Sequence, residues 1–474
     1  MLYLILYAVL AVILFMLIRL TYHFRTLAQQ KPEDEALQEE SSAAVKEEQL
    51  SISQGYVYAL IVAAIIALLL VTYFVIKGTP WEGHFMEWLN IVIRLMHVTF
   101  GIAWIGASFY FVFLENALNR TENVRDELAG NLWAVHGGGF YYLEKYKVAP
   151  KTIPKHLHWF KYEAYFTWLS GFFLLLVVYY FNAQAFLIDK DVLNITPAAG
   201  VSIGIGSFVV AWLIYHYLCK TPLINKGLWF ALVGFIIAVS FAWFYTHVFS
   251  GRAAFIHFGA MLGTLMVGNV FFIIIPSQKA MVKAAKENKP LDPSLGKFAS
   301  LRSLHNNYFT LPVLFVMVSN HFPSTFSYKY SWLILAIISL GTAGVKHWLN
   351  LQEKGQLNIW VLPVSVLILF AAAYMSAPIK ADTKCKTEVS FTDVNVIMQK
   401  RCVQCHSSRP TDNLFTAPPN GVMFETPQNV AGLKDKILQR VVVTKTMPPN
   451  NKTNMTEEER QTIGCWIQQG AQEK

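Results

Sequence analysis

Long uninterrupted apolar runs constrain this chain more than any other feature of its sequence. Such runs of about 20 residues have the length that an α-helix needs to cross the hydrocarbon core of a bilayer. Hydrophobic residues make up 54% of the 474 residues and charged residues only 15%, against about a quarter in soluble domains. We therefore predict a mostly α, polytopic membrane protein. The predicted crossings are 2–20, 56–76, 88–114, 165–182, 200–219, 228–248, 254–275, 307–322, 329–348 and 357–377.

The first apolar run is interpreted as an uncleaved anchor. No basic segment precedes it and no small-residue cleavage site follows it, whereas Arg19 and Arg25 lie on its C-terminal side. The acidic stretch 31–49 is interpreted as a solvated linker. We assign 1–55 to this anchor and linker, and 56–380 to a multi-helix transmembrane domain.

The loops between the runs predict the orientation. With the N-terminus outside and every run crossing, the inside loops carry 20 Lys and Arg residues. The outside loops carry far fewer, among them Lys190, Arg252 and Lys329. Because basic loops resist translocation, this bias predicts that the C-terminal segment lies on the outer side of the membrane. The same bias explains the net charge of +9, so we expect no nucleic-acid partner.

The C-terminal segment 385–474 contains CVQCH, the attachment pattern of c-type haem. Two intervening residues let the thiols of Cys402 and Cys405 reach one porphyrin, and His406 then becomes the proximal iron ligand. A redox dithiol or half of a zinc site is the alternative interpretation. We predict an all-α class I c-type cytochrome domain with one covalent haem c.

A methionine completes the predicted iron coordination. Met447 precedes two prolines, a usual setting for the distal ligand, and its thioether would raise the haem potential. Met423 and Met455 are weaker alternatives, and Met423 is better interpreted as a side chain that packs in the hydrophobic core.

Three short helices are expected around these ligands, at Phe391–Arg401, 430–443 and 456–469. Cys385 precedes the first helix and Cys465 lies in the last. An oxidising compartment permits a disulfide between them, but their spacing alone leaves that pairing open.

Histidines in the predicted outer half of the membrane are candidates for a second cofactor. Ionisable groups at membrane depth are costly and mark functional sites. His97 and His257 are the candidate axial ligands of a b-type haem, with His247 and His321 as further candidates. Arg94, one turn from His97, could pair with a propionate or an anionic substrate. The alternative is that these histidines only form hydrogen bonds at the interface and that nearby glycines serve helix packing.

The predicted inner loop 131–163 is dense in aromatic, basic and amide groups. His136 stands beside three glycines, and His158, Lys161 and Glu163 follow before the next crossing. These four residues are the candidate catalytic set, since their chemistry suits a planar anion. The same composition also suits an interfacial belt of aromatics and lysines. The stretch from His305 to Tyr308 could complete such a pocket.

Several long segments match one known family pattern: 88–110, 132–141, 156–174 and 303–323, together with CVQCH. In these segments the chain resembles the bacterial membrane-bound, cytochrome c-linked urate hydroxylases. The resemblance implies a place in the bacterial cytoplasmic membrane, with the cytochrome c domain in the periplasm. It also implies oxidation of urate to 5-hydroxyisourate, with electrons leaving through haem c to an external acceptor such as a soluble cytochrome c or a terminal oxidase. The first two crossings and the acidic linker depart from the family pattern, which begins near Trp88.

Two other functions remain open at the level of the sequence. One is a respiratory module that passes electrons from quinol through b-type haem to haem c. The other is a transporter or anchor that merely positions a cytochrome. The histidine clusters weigh against the second, and only the family resemblance separates urate oxidation from the first.

Overall fold

The computed structural model describes residues 60–472 except 62, 80, 151, 155, 378–384, 386–387, 413–414 and 416. The predicted anchor and linker, 1–55, lie outside the described residues. The chain divides into two compact units, 1–88 and 89–474. The sites described below belong to the second unit.

The described residues are mostly helical, as predicted. Six helices, α2 to α6 and α8, are long and apolar enough to span a membrane, while α1 and α9 are shorter apolar helices. The helices before residue 378 are α1 Ala63–Ile76, α2 Trp81–Ala117, α3 Tyr162–Tyr180, α4 Pro197–Leu218, α5 Gly227–Thr246, α6 Gly251–Lys286, α7 Pro293–Ser319, α8 Ser331–Glu353 and α9 Val361–Met375.

Helix α7 is longer than the apolar run 307–322 that predicted it. It begins at Pro293, after Asp292 caps the helix by accepting a hydrogen bond from the Ser294 amide (2.9 Å). Hydropathy identifies only its second half because the first half carries buried polar residues, including Arg302, Asn306 and Asn307. These residues point into the protein, so they enrich the interior with polar groups.

Helix α6 lies at the centre of the largest core cluster. It packs against α3, α4, α5 and α7. Ser250 caps it and also donates a hydrogen bond to the Phe186 carbonyl (2.7 Å), which ties the start of α6 to the segment after α3. In contrast, α2 has no buried side chain among its described residues.

A β-hairpin occupies much of the region that the sequence presents as an inner loop. Strands β1 Leu128–His136 and β2 Gly139–Tyr146 pair antiparallel, with His136 opposite Gly139. Gly137 (φ 58°) and Gly138 (φ 81°) form the two-residue turn, and positive φ at both positions is what a type I′ hairpin requires. Two of the three consecutive glycines are therefore explained by the turn.

The C-terminal domain is built from short helices. Helix α10 Phe391–Arg401 has the predicted bounds, and α11 Glu457–Gln468 closes the domain. Both begin with a reciprocal capping box, Ser390 with Asp393 and Thr456 with Glu459. The predicted middle helix is broken into Pro427–Gly432, Lys434–Ile437 and a π-helical turn, Leu438–Val443.

A disulfide joins the two ends of the C-terminal domain. Cys385 and Cys465 are bonded with their Cα atoms 5.4 Å apart, which decides the pairing that the sequence left open. Cys402 and Cys405 are free thiols, as is the buried Cys219.

Candidate functional site

The CVQCH segment follows directly from α10. Cys402 is buried at the C-terminal end of this helix and contributes to the core of the domain. The His406 Nδ1–H donates to the Val422 carbonyl (3.0 Å), and its own carbonyl accepts from the Phe424 amide (2.9 Å). The bond to the Val422 carbonyl places the imidazole hydrogen on Nδ1. The other ring nitrogen, Nε2, therefore has a free lone pair, as a metal-ligating histidine requires.

The protonation of these groups follows from their burial. Burial, followed by the neighbouring Cys405, raises the pKa of Cys402 to about 12. Burial also raises the pKa of Cys405 and lowers that of His406. In the chain without haem, burial therefore favours the protonated thiols and the uncharged imidazole.

Met447 is the best placed of the three methionine candidates. It is half-buried against the same hydrophobic cluster that contains Cys402. Its amide donates to the Arg440 carbonyl (3.0 Å) and its carbonyl accepts from Arg460 Nη1 (2.8 Å). Met455 is fully inside the core, whereas Met423 is exposed. A haem attached to both cysteines, with His406 and Met447 as its iron ligands, stays a prediction from the sequence.

One asparagine joins the C-terminal domain to the membrane helices. Asn450 Nδ2 donates to the carbonyls of Ala185 (2.8 Å) and Ile188 (2.7 Å), in the segment that follows α3. Asn450 lies three residues after Met447. The predicted distal ligand is therefore close along the chain to the contact with the membrane domain.

His257 lies within an aromatic cluster beneath that contact. It is fully buried; its Nδ1–H donates to the Ala253 carbonyl (2.8 Å), and Nε2 accepts from the Tyr180 hydroxyl (3.1 Å). Tyr245 and Phe249 pack around the ring. Both ring nitrogens are engaged by the protein, so an iron ion at Nε2 would require the Tyr180 hydroxyl to move away.

The other predicted outer residues are more exposed. His97 is half-buried, and its Nδ1–H donates to the Thr167 carbonyl (3.0 Å). Arg94 is exposed and donates to Asn90 (3.0 Å). His247 stacks on Trp243 with ring centroids 4.4 Å apart. His321 is exposed at the end of α7.

The four predicted catalytic residues fall on two elements. His136 is exposed at the hairpin turn, while His158 is exposed against Phe160 (centroids 4.5 Å apart). Lys161 lies over the Tyr162 ring at 4.8 Å. Glu163 has a buried carboxylate oxygen with no hydrogen-bond partner among the described residues. No hydrogen bond, ion pair or ring contact of these residues joins His136 to the other three.

A buried polar network, which we call the arginine cluster, lies between α4, α6 and α7. Arg302 is 3% exposed, and its Nη1 donates to Asn269 Oδ1 (3.2 Å). Asn269 Nδ2 donates to the Tyr215 hydroxyl (2.9 Å) and to Asn306 Oδ1 (2.8 Å). The Tyr215 hydroxyl is 2.8 Å from His305 Nδ1. Among the described residues Arg302 forms no ion pair, and its Nε has no partner.

A second polar contact links α7 to α8. Asn307 Nδ2 donates to Asn350 Oδ1 (3.2 Å), and the Tyr308 hydroxyl is 2.7 Å from His347 Nδ1. The predicted stretch from His305 to Tyr308 is thus divided: its first two residues join the arginine cluster and its last two contact α8.

Sequence reasoning missed several polar residues of these networks. Asn269 and Tyr215 sit inside apolar runs, and Arg302 and Lys346 were counted only as basic residues of the loops. A lysine or arginine within or beside a predicted crossing is itself a signal, because an unpaired charge at that depth needs a function or a partner. Among the described residues, no group of three or more His, Cys, Asp and Glu side chains is arranged to hold a metal ion.

The described part of the chain is a multi-helix protein with buried polar networks and a disulfide-linked, helical C-terminal segment, and six of its helices are long and apolar enough to span a membrane. A family model described as "Urate oxidase N-terminal" matches residues 83–377, more than half of the chain. The chain belongs to this family, which supports a urate-related function and an oxidoreductase activity. The match ends before CVQCH. No curated protein and no solved structure matches the chain.

Proposed function

We propose that this protein oxidises urate at the bacterial cytoplasmic membrane and passes the electrons through haem c to an external one-electron acceptor. In the balanced reaction, urate monoanion and water give 5-hydroxyisourate, one proton and two electrons. The oxygen comes from water, and the electrons leave one at a time. The observation that carries this proposal is the family match over 83–377, followed in the same chain by CVQCH.

The C-terminal domain contributes the electron-transfer part of the proposal. Cys402 and Cys405 would attach the haem, with His406 and Met447 as axial ligands. The haem, when bound, supplies a one-electron acceptor whose potential the thioether raises. The chain's own contribution is to orient His406 through Val422 and to hold the domain on the segment after α3 through Asn450.

The membrane domain contributes substrate binding and proton handling. Glu163, with an unpartnered carboxylate oxygen, is suited to accept a proton from substrate or water. His136, His158 and Lys161 are proposed to bind or orient the anion from the predicted inner side. A b-type haem held by His97 and His257 stays a hypothesis, and no step here depends on it.

The proposal is tested by adding urate anaerobically to the purified, oxidised, full-length protein. We expect the c-type α-band to become reduced, with two haems reduced for each urate consumed, because each haem accepts one electron. A Cys402→Ser, Cys405→Ser variant, which cannot attach haem, controls for nonspecific loss of urate. Rapid reduction by a quinol, without any by urate, would overturn the proposal in favour of the respiratory module. A b-type band that is reduced first would support the additional haem.

A further inference from the structure

A cleft of about 360 Å³ opens between α2 and α8. This volume lies within the range of small-molecule sites. Its walls combine three aromatic rings with one lysine and one glutamate. The lining residues are Phe109, Tyr110 and Phe113 on α2, and Lys346, Leu349 and Glu353 on α8.

Lys346 is the unusual member of this lining. Its side chain is only 1% exposed, and Nζ lies 4.1 Å from the centre of the Phe109 ring. It forms no ion pair within the part of the chain that the structure describes. A buried ammonium that forms no ion pair is costly, and the cation–π contact together with the more distant charge of Glu353 recovers only part of that cost. The Lys346 end of the cleft is therefore suited to the negative charge of a ligand, and Glu353 makes another part of the lining negative.

The wall behind Lys346 holds two unpartnered polar atoms. Asn350 lies one turn further along α8, on the same face as Lys346. Asn350 Nδ2 and Asn307 Oδ1 are buried and have no hydrogen-bond partner among the described residues, although the two side chains bond to each other through their other atoms. Both residues are at least nine-tenths buried. The free donor, Asn350 Nδ2, and the free acceptor, Asn307 Oδ1, could pair with a ligand that carries a neighbouring C=O and N–H, as an amide does.

Glu353 marks the mouth of the cleft. Its Oε2 accepts a hydrogen bond from Asn116 Nδ2 (2.9 Å), which holds the carboxylate in place. Tyr110 and Phe113 are partly exposed, so the cleft can be reached from the protein surface. A carboxylate at this position can accept an N–H of a heterocycle, whereas it would repel a simple carboxylate ligand.

We propose that this cleft is the binding site for the planar heterocyclic monoanion that the enzyme oxidises. Lys346 pairs with the negative charge, the aromatic residues of α2 pack against the ring faces, and Glu353 receives a ring N–H. The inference rests on the proposed function and locates the anion in this cleft instead of at His136, His158 and Lys161, which do not line it. An uncharged quinone would not require the buried ammonium, which is the reason to favour the anion.

Binding of urate to the oxidised full-length protein, measured anaerobically by equilibrium dialysis, tests the site. We expect Lys346→Met to weaken binding at least about tenfold, corresponding to about 1.4 kcal/mol. The matched control is Lys354→Met, which removes the same charge from an exposed position at the end of the same helix. That variant should stay within about twofold of the wild type. Lys346→Arg, which keeps the charge, should bind better than Lys346→Met.

A second variant covers the case in which Lys346→Met fails to fold. Phe109→Leu keeps the charge and removes the aromatic face, and it should also weaken urate binding while ascorbate still reduces the C-terminal domain fully. If wild-type protein oxidises urate but Lys346→Met and Phe109→Leu bind it normally, the cleft is not the site and the proposed function stands. If wild-type protein neither binds nor oxidises urate, the proposed function and this inference both fail.

Discussion

Asn450 donates hydrogen bonds to the Ala185 and Ile188 carbonyls, at 2.8 and 2.7 Å, and so joins the C-terminal domain to the segment after α3. That segment is in turn held by Ser250 at the start of α6, the helix that carries His257. A side-chain amide thus connects the domain with CVQCH to the centre of the membrane domain.

The asparagine contact predicts an effect on electron transfer. Asn450→Gly removes both hydrogen bonds, each worth about 0.5–1.5 kcal/mol net, without straining a backbone that has φ 48°. We expect slower haem reduction after rapid mixing with urate, with unchanged urate binding. The control is Asn420→Gly, an exposed asparagine with φ 53° in the same domain. Equal rates in both variants would show that the contact has no role in the transfer.

The disulfide predicts the stability of the C-terminal domain. Cys385 and Cys465 are separated by 80 residues, and closing a loop of that length stabilises the native state by about 4–5 kcal/mol in the chain-entropy estimate. The double change Cys385→Ser, Cys465→Ala should therefore lower the urea midpoint of this domain strongly, as measured by pulse proteolysis of the full chain. Cys219→Ala should leave that midpoint unchanged. A double variant as resistant as the wild type would contradict the prediction.

The ion pair between Arg401 and Glu459 predicts that the stability of the C-terminal domain depends on pH. Burial alone would raise the pKa of Glu459, but hydrogen bonds from Arg401 and Thr456, together with the charge of Arg401, lower it below the ordinary value of 4.5. A lowered folded-state pKa stabilises the protein above the unfolded-state pKa, and this stability is lost as the pH falls towards the folded-state value.

The measurement compares wild type with Glu459→Gln between pH 7 and pH 3. The stability difference in the C-terminal domain should be largest at neutral pH, on the order of 3 kcal/mol for breaking a mostly buried pair. It should shrink below about pH 4.5, because the carboxylate of the unfolded chain then takes up a proton, whereas the folded protein does so only at a lower pH. A difference that stays constant over this range would rule out the titration of Glu459 as the cause.

The distal ligand gives a spectroscopic prediction. Met447→Ala should lower the reduction potential of haem c, since the thioether is lost, while the haem stays covalently attached. Met455→Leu replaces a core methionine with a side chain of similar volume and should leave the potential unchanged. Potentiometric titration of both variants decides which methionine is the distal ligand. A reduction potential that falls only in Met455→Leu would assign the ligand to Met455.

Local pattern predicted most of the helical architecture. Apolar runs located the long helices within the described residues, and α10 was placed to the residue because the signals that begin and end a helix are local. The hairpin was missed because β1 and β2 are rich in aromatic residues, a composition shared with interfacial loops. The two glycines of its turn, Gly137 and Gly138, were the signal that could have revealed it.

Sequence by itself determined the apolar helices, the CVQCH motif and the candidate histidines, because hydropathy and motif spacing depend on neighbouring residues. Only the tertiary structure decided that Cys385 bonds to Cys465, that both nitrogens of His257 are engaged, and that Lys346 is buried against Phe109. These facts depend on helices far apart along the chain, and the partner of a buried polar group is set by packing, which no local pattern encodes.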